Sequence, residues 1–348
     1  MPRRVRGGSS HAGFERRRPP TAIDSTVIFI ANFAAPATML VVLSLGLNLQ
    51  WGHAGLFNAG VAAFVGVGAY TFGMLATGVV VADPTYGYPG HWGLSGPTDL
   101  IVAALVAMLV SGLLGILIAI STIRLRADYL AIATLALAEI IRYGFKNARS
   151  ITGGDLALSS VPRPFALYAA QGWRSDGVFT LVAAAVLLLV LVMIGYLVRS
   201  PWGRAVRAVR EDEEAAEALG KNTTVLRLGA FGIGCALMGL YGALQASWLY
   251  VILPDTFLPF ATFTAYVVVI LGGSGNPRGV VAGGYLFYAL GWGEQEIKSL
   301  VRLPDWLNAR LDYLLLIGIG LILIGFILFR PQGLLPERKY VPKVREPA

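Results

Sequence analysis

Long apolar runs alternate with short polar joints along the chain. Runs of Ala, Leu, Ile, Val, Phe and Gly cover residues 26–49, 54–79, 99–121, 128–145, 178–198, 225–249, 259–272, 279–293 and 311–329. Most are long enough to cross a hydrocarbon core as a helix, which takes ~20 residues. They are continuous and do not alternate with period two, which argues against a β-barrel. Two runs, 259–272 and 279–293, are short for a full crossing and read as half-helices or tilted pieces of a broken region. Non-helical backbone at membrane depth is tolerated only where protein or a water-filled cavity surrounds it. The pattern predicts an all-α polytopic membrane protein of about eight or nine transmembrane or broken helices, compatible with an inverted repeat. Its parts are a polar tail 1–24, a membrane domain 25–330 containing a charged loop 199–224, and a second polar tail 331–348.

Composition agrees with this pattern. The 348 residues are 56% hydrophobic and 14% charged, against ~45–50% and ~25% in soluble domains. One cysteine, Cys235, excludes an internal disulfide and a Cys-based metal site. His11, His53 and His91 lack metal-ligand spacing. The formal net charge is +8, and basic loops of a membrane protein account for it more simply than nucleic acid does. The Arg-rich start precedes an apolar run too long for a signal peptide and lacks a clear cleavage site.

Lys and Arg accumulate on cytoplasmic loops. Placing the N-terminal tail, Arg124, Arg126, the 199–227 loop, Arg278 and the C-terminal tail inside accounts for 20 of the 28 basic residues. This assignment carries one parity conflict. An inside tail and an outside 81–98 loop need an odd number of crossings between 25 and 80, where the pattern shows two runs. Three resolutions are open: a break at Pro36, a re-entrant 54–79, or a tail that lies outside.

Two Gly-rich stretches, "LQWGHAGLFNAGVAAFVGVGAY" (49–70) and "LGGSGNPRGVVAGGYL" (271–286), sit at opposite ends of the chain. Interrupted segments in the two halves of a transporter point to a transport site; Gly and Ala also simply let helices pack closely. Both readings stand from sequence.

The segment "EDEEAAEALGK" (211–221) carries six charges in eleven residues. Asp212 suits an N-cap, Glu213 and Glu214 the first turn, and Gly220 the position just past the end. The segment predicts a short, exposed surface helix, with Asn222 or Thr223 capping the next membrane helix. An ordinary solvated connector with Arg207–Glu211 and Arg210–Glu214 pairs is the plain alternative. Gly220-Lys221 is not the end of a phosphate-binding loop, because Ala215 stands where that motif needs Gly and Asn222 where it needs Ser or Thr. No hydrolase, zincin or dithiol motif is present.

Glu214-Ala215-Ala216 followed by Gly220 resembles the E-A-A-x-x-x-G signature of ABC-importer permeases, where this loop is the coupling helix that docks on a cytoplasmic ATPase. Three further stretches narrow the likeness to branched-chain amino acid permeases, and to the larger of their two permease subunits: "LGLNLQWGHAGLFNAGVAAFVGVGAYT" (45–71), "LRADYLAIATLALAEIIR" with "SITGGDLALSSVPRP" (125–164), and "SPWGRAVRAVREDEEAAEALG" (200–220). Asn58 departs from the small hydroxyl residue common in the family, and Asp155 from its usual Pro-Asn-Gly. Both changes bear on the substrate more than on the architecture.

The resemblance implies a permease half that binds no cofactor itself. ATP would be bound by separate subunits, and the partners would be a second permease, cytoplasmic ATPases, a periplasmic or lipid-anchored binding protein, an amino acid substrate and the bilayer of a bacterial or archaeal cell. It implies ATPase coupling by Glu211, Asp212, Glu213, Glu214, Ala215, Ala216 and Gly220. Pathway candidates are Asn48, His53, Asn58, Gly60, Glu139, Gly272 and Gly273, and Thr152, Gly153 and Gly154 are candidates for binding-protein docking. Glu139 and Arg142 also read as a structural ion pair near the membrane edge, and Asn48, His53 and Asn58 as helix-to-helix hydrogen-bonding groups. A urea or short-amide permease, an ion-coupled secondary transporter and a purely structural membrane subunit are the alternatives.

Overall fold

The computed structural model describes residues 22–76, 97–122, 125, 127–159, 161–163, 172–300, 305–330 and 332–337. Its helices are α1 (Ala22–Leu47), α2 (Val61–Ala76), α3 (Pro97–Thr122), α4 (Ala127–Asn147), α5 (Arg149–Thr152), α6 (Gly172–Arg199), α7 (Pro201–Glu211), α8 (Glu213–Ala218), α9 (Thr223–Leu249), α10 (Pro259–Gly272), α11 (Pro277–Leu300) and α12 (Asp305–Phe329). Two short strands, β1 (Leu158–Ser159) and β2 (Val251–Ile252), pair antiparallel. Among the described residues, the segments 26–53, 98–122, 175–199 and 223–249 have the length and apolarity to cross a membrane. α2 and α10 are shorter apolar helices. The chain is therefore the all-α polytopic membrane protein that the hydropathy pattern predicts.

α9 is the central post, packed by α1, α2 and α3. Small residues allow the close approach. A Cβ at Gly68 would overlap the Gly239 carbonyl, and one at Gly46 would lie 2.9 Å from the Gly234 carbonyl oxygen. The Ser111 hydroxyl donates to the Phe64 carbonyl at 3.0 Å, tying α3 to α2. Outward, α3 and α6 present Leu109, Leu113, Leu117, Leu181, Leu188 and Leu189. That is the surface of helices bathed in hydrocarbon rather than water.

The contacts place the ends of α1, α6 and α9 relative to α8. α6 ends and α9 begins beside α7 and α8, and the end of α1 joins them, because Arg210 of α7 donates to the Gly52 carbonyl. The start of α1 lies at the other end of the bundle. Phe29 meets Trp292 of α11 at 4.4 Å between ring centroids, and Val27 faces Gly177 near the start of α6. The parity conflict resolves accordingly. The tail 1–24 lies almost wholly outside the described residues, but α1 begins at the end opposite α8. The shared-side placement of tail and charged loop does not hold where α1 starts.

Pro36 does not break α1. A proline frees the carbonyl four residues earlier, and here the Asn32 carbonyl accepts from the Tyr288 hydroxyl of α11 at 3.4 Å. The predicted 54–79 span begins later than expected: residues 54–60 are irregular and 61–76 are helical, while 77–79 lie outside the described residues. The predicted 279–293 piece is longer, as α11 begins at Pro277 and runs to Leu300.

Candidate functional site

The two Gly-rich stretches meet. α1 ends in a single π turn, Asn48–His53, a form found often at functional positions. Asn48 Oδ1 accepts from the Gly275 backbone N–H at 2.8 Å across 227 residues. Gly52 has no room for a side chain, since a Cβ there would meet the Gly275 nitrogen at 2.5 Å. The break between α10 and α11 thus locks against the break between α1 and α2.

Residues 54–60 are a non-helical loop; the Gly55 and Leu56 N–H groups return to the Trp51 and Gln50 carbonyls, and Asn58 and Ala59 bond hydroxyls on the flanking helices. The Ala59 N–H donates to Thr134 Oγ1 of α4 at 3.0 Å. The Asn58 N–H donates to the Tyr266 hydroxyl of α10 at 3.0 Å, and that hydroxyl donates to the Asn58 carbonyl at 3.1 Å. Just beyond, the Ala62 N–H donates to Thr262 Oγ1 at 3.2 Å. An apolar interior leaves such groups no alternative partner. A Cβ at Gly60 would stand 2.5 Å from the Thr134 carbonyl, so α4 rests directly on the loop.

Asn48, His53 and Asn58 are fully buried and serve these joints. Asn58 Nδ2 donates to Gln50 Oε1 at 2.9 Å, and Asn58 Oδ1 accepts from the Gly60 N–H at 2.9 Å. His53 Nδ1 lies 3.1 Å from the Asn48 carbonyl. Gln50, which the sequence reading passes over, is the hub: its Nε2 donates to the Phe231 carbonyl of α9 at 2.8 Å. Asn48 Nδ2 and His53 Nε2 are buried without a protein partner.

Gly272 and Gly273 form the end of α10. Gly273 has φ of +108°. Orphan carbonyls at this helix end accept from residues after α12, from the Leu334 N–H to Leu271 at 2.9 Å and from the Leu335 N–H to Gly272 at 3.1 Å. Asn276 Nδ2 adds bonds to the Leu335 and Pro336 carbonyls. Residues 332–337 are therefore a strap lying on the bundle, while 338–348 lie outside the described residues.

The charged segment folds as its residues dictate. Ser200 caps α7 by accepting from the Gly203 N–H at 3.2 Å. Asp212 sits in an extended conformation between the helices and accepts from the Ala215 N–H at 2.9 Å, capping α8. Gly220, with φ of +75°, ends the helix, and the Lys221 N–H returns to the Ala216 carbonyl at 3.1 Å. Asn222 caps α9 through the Val225 N–H at 3.1 Å. The predicted Arg207–Glu211 and Arg210–Glu214 pairs do not form: Arg207 turns back to the Val198 carbonyl at 3.3 Å, and the break at Asp212 parts Arg210, which reaches the Gly52 carbonyl, from Glu214. Glu213 pairs instead with Arg227 of α9 at 2.7 Å, and Glu217 accepts from the Thr223 hydroxyl at 2.7 Å. Ala216 is buried against the bundle, while Glu211, Asp212, Glu213, Glu214, Ala215 and Gly220 are exposed. Leu219 is 80% exposed, an apolar knob at the tip of a polar helix.

Arg210 links this segment to the broken elements. Besides the Gly52 carbonyl, it pairs with Glu337 of the strap at 3.0 Å. One guanidinium thereby joins α7, the π turn and the strap.

At the other end, Glu139 and Arg142 pair at 2.7 Å within α4. Arg142 also reaches Asp255 at 3.0 Å, and Lys146 reaches Asp255 at 3.0 Å. The network ties α4 to the short turn Pro254–Phe257, as the structural-pair reading expects. Thr152, Gly153 and Gly154 are buried. The Thr152 hydroxyl donates to the Phe145 carbonyl at 2.6 Å and accepts from the Gly154 N–H at 3.2 Å. Gly153 and Gly154 take φ of +77° and +57°. This motif shapes a tight turn and leaves Ile151 and Asp155 on the surface.

A membrane bundle with paired broken elements and a capped, exposed helix beside them has the parts of a transporter permease. The family described as the branched-chain amino acid transport system permease component matches residues 29–324, and the chain belongs to that family. It is 34% identical over 326 residues to the high-affinity branched-chain amino acid transport system permease protein LivM of Salmonella typhimurium, covering 88% of this chain and 69% of that protein. Identity to LivM of Escherichia coli K12 is 33% over 336 residues, covering 90% and 72%. A probable LivM of Methanocaldococcus jannaschii is 28% identical over 324 residues, covering 86% and 91%. No solved structure matches the chain.

Proposed function

We propose that the chain is one permease half of an ATP-driven importer of branched-chain amino acids in a bacterial or archaeal plasma membrane, with ATP bound by separate subunits. The family match over 29–324 carries this reading. In it, α8 is the coupling helix that lies on a cytoplasmic ATPase, with Leu219 as its apolar contact. Nucleotide-driven motion of α8 passes through α7 and Arg210 to the π turn at Gly52 and to the strap. A second permease completes the pathway. A binding protein docks at the opposite end, where the Thr152–Gly154 turn presents Ile151 and Asp155.

The test reconstitutes the chain with its ATPases, second permease and binding protein in vesicles. Leu219→Asp and the pair Glu213→Lys with Glu214→Lys are compared with wild type. The expected result is at least a tenfold loss of uptake and of the stimulation of ATP hydrolysis by loaded binding protein. Unchanged uptake in both variants refutes the coupling role of α8. Stimulation by urea or another amide, and none by leucine, refutes the substrate.

A further inference from the structure

At the end of the bundle that carries α7, an open cavity of about 1000 Å³ lies between α6, the start of α11 and the strap. α6 contributes Leu191, Val192, Gly195, Tyr196, Val198 and Arg199 to it. α7 contributes Arg207, and residues 275–278 and 335–337 supply the rest, with Arg278 among them.

The three arginines have no carboxylate to answer them. Arg199 and Arg278 are exposed. Arg207 is held toward the end of α6, where it donates to the Val198 carbonyl at 3.3 Å. Among the described residues none of the three forms an ion pair. Glu337 is the acid among the described lining residues, and Arg210 already takes it at 3.0 Å. The lining is left with uncompensated positive charge, which calls for an anion.

The depth of the cavity says which anion. The membrane-crossing part of α6 has 25 residues and ends at Arg199. That is about 37 Å of helix against a hydrocarbon core of ~30 Å, so Arg199 reaches the headgroup layer. Leu188, Val192 and Tyr196 are exposed and precede it at helical spacing on one stripe. The stripe runs from hydrocarbon-facing surface into the cavity and ends on a cation. Free phosphate gains nothing from that apolar approach. An amphiphile does, because its acyl chain covers Val192 and Tyr196 while its phosphate meets the arginines. Basic pockets between membrane helices at the cytoplasmic side hold anionic headgroups in this way.

We infer that the cavity between α6, α11 and the strap seats an anionic phospholipid, its phosphate held by Arg199, Arg207 and Arg278 and an acyl chain laid along Leu188, Val192 and Tyr196. The lipid then lies against α7 and the strap, the two elements that the Arg210–Glu337 pair joins. The inference does not depend on what is transported.

The test is native mass spectrometry of the full chain in detergent, titrated with dioleoyl phosphatidylglycerol or dioleoyl phosphatidylcholine. Phosphatidylglycerol should bind at least tenfold more tightly, and equal binding overturns the inference. An arginine near an anionic headgroup is worth about fivefold in affinity. Arg199→Gln, Arg207→Gln and Arg278→Gln should each lose about that much. Lys221→Gln removes an exposed cation that does not line the cavity and should lose less than twofold. An equal loss in Lys221→Gln assigns the preference to general surface charge and overturns the site. Gly195→Leu leaves the arginines alone. A Cβ there meets nothing within 4 Å, so the added side chain fills the acyl seat without disturbing the bundle, and far-UV circular dichroism should not change. Phosphatidylglycerol affinity should fall at least fivefold, and undiminished binding overturns the acyl seat. Glycerol 1-phosphate carries the phosphate without the chains. Displacement of the lipid by it at similar concentration marks a site for a free anion and overturns the lipid assignment. In the importer assembled with its other subunits the lipid should remain bound; its loss there gives the cavity to a neighbouring protein and also overturns the assignment.

Discussion

Removing one oxygen should measure how the loop 54–60 is held. In Tyr266→Phe the ring keeps its stack on Phe57 at 4.7 Å, so only the hydroxyl is lost. That hydroxyl accepts from the Asn58 N–H at 3.0 Å and donates to the Asn58 carbonyl at 3.1 Å. The change strands a buried donor and a buried acceptor, and each such group costs about 1–3 kcal/mol. Side-chain hydrogen bonds between membrane helices average only about 0.6 kcal/mol, because the unfolded state in lipid finds other partners. The larger figure governs here. Asn58 has no helical partner to fall back on, and the loop is displaced before new partners are reached. We expect a loss of about 2–4 kcal/mol. Thr264→Val is the control: that hydroxyl is on the exposed side and bonds its own helix, at Phe260, at 3.0 Å, and its loss should stay within about 0.5 kcal/mol. Reversible unfolding by denaturant titration in mixed micelles, followed by far-UV circular dichroism, reads both. A Tyr266→Phe cost no larger than that of Thr264→Val would refute the account in which α10 pins the loop.

Other perturbations test other joints. Gly68→Ala drives a methyl into the Gly239 carbonyl and should cost about 1–3 kcal/mol by overpacking, read by the same titration. Asp212→Ala should weaken α8 by about 1 kcal/mol while Asp212→Asn retains the cap; stimulated ATP hydrolysis should fall in the first and not in the second. Arg210→Ala cuts α7 from both Gly52 and Glu337. It should leave basal hydrolysis by the complex in place while uptake falls at least tenfold, and parallel loss of both activities would contradict the proposed linkage. Arg163→Lys gives up a fork that bonds Asp176 and the Ser247 and Trp248 carbonyls and lies 4.2 Å from the Tyr250 ring centroid. Lys cannot reproduce that geometry, and a drop of about 2 kcal/mol in unfolding free energy is expected.

The parts of the fold legible in the sequence are those set by local physics. Long apolar runs gave α3 and α9 to within two residues and the end of α6, though α6 begins six residues before its predicted run; Asp212, Gly220 and Asn222 marked the ends of α8 and the start of α9 without help from tertiary contacts. The Gly-rich 49–70 stretch was legible as an interrupted segment, but the limits of the irregular 54–60 were not. "AGLFNAG" is as apolar as a helix, and what permits it to stay unwound is supplied by Thr134, Thr262 and Tyr266, far along the chain. Gln50 was missed for the same reason: one amide in a Gly-rich run carries no local signal of the Phe231 carbonyl it meets. The six arginines of the first tail favoured an inside start, whereas the start of α1 is fixed by packing of Phe29 and Val27 against α11 and α6. Glu139 with Arg142 was readable at helical spacing, but Asp255 and Lys146 as their partners were not.

The strap has a consequence for the order of synthesis. Leu334, Leu335 and Glu337 are among the last described residues, and they close the end of α10 and the Arg210 linkage. A chain still emerging from the ribosome holds α1 through α11 with the carbonyls of Leu271 and Gly272 uncapped and Arg210 short of its carboxylate. This closure of the end of α10 is therefore completed only after α12 has been made. A product truncated after α12 retains the long apolar helices and the Asn48–Gly275 bond but lacks the strap, and so differs at the end of α10 and at Arg210.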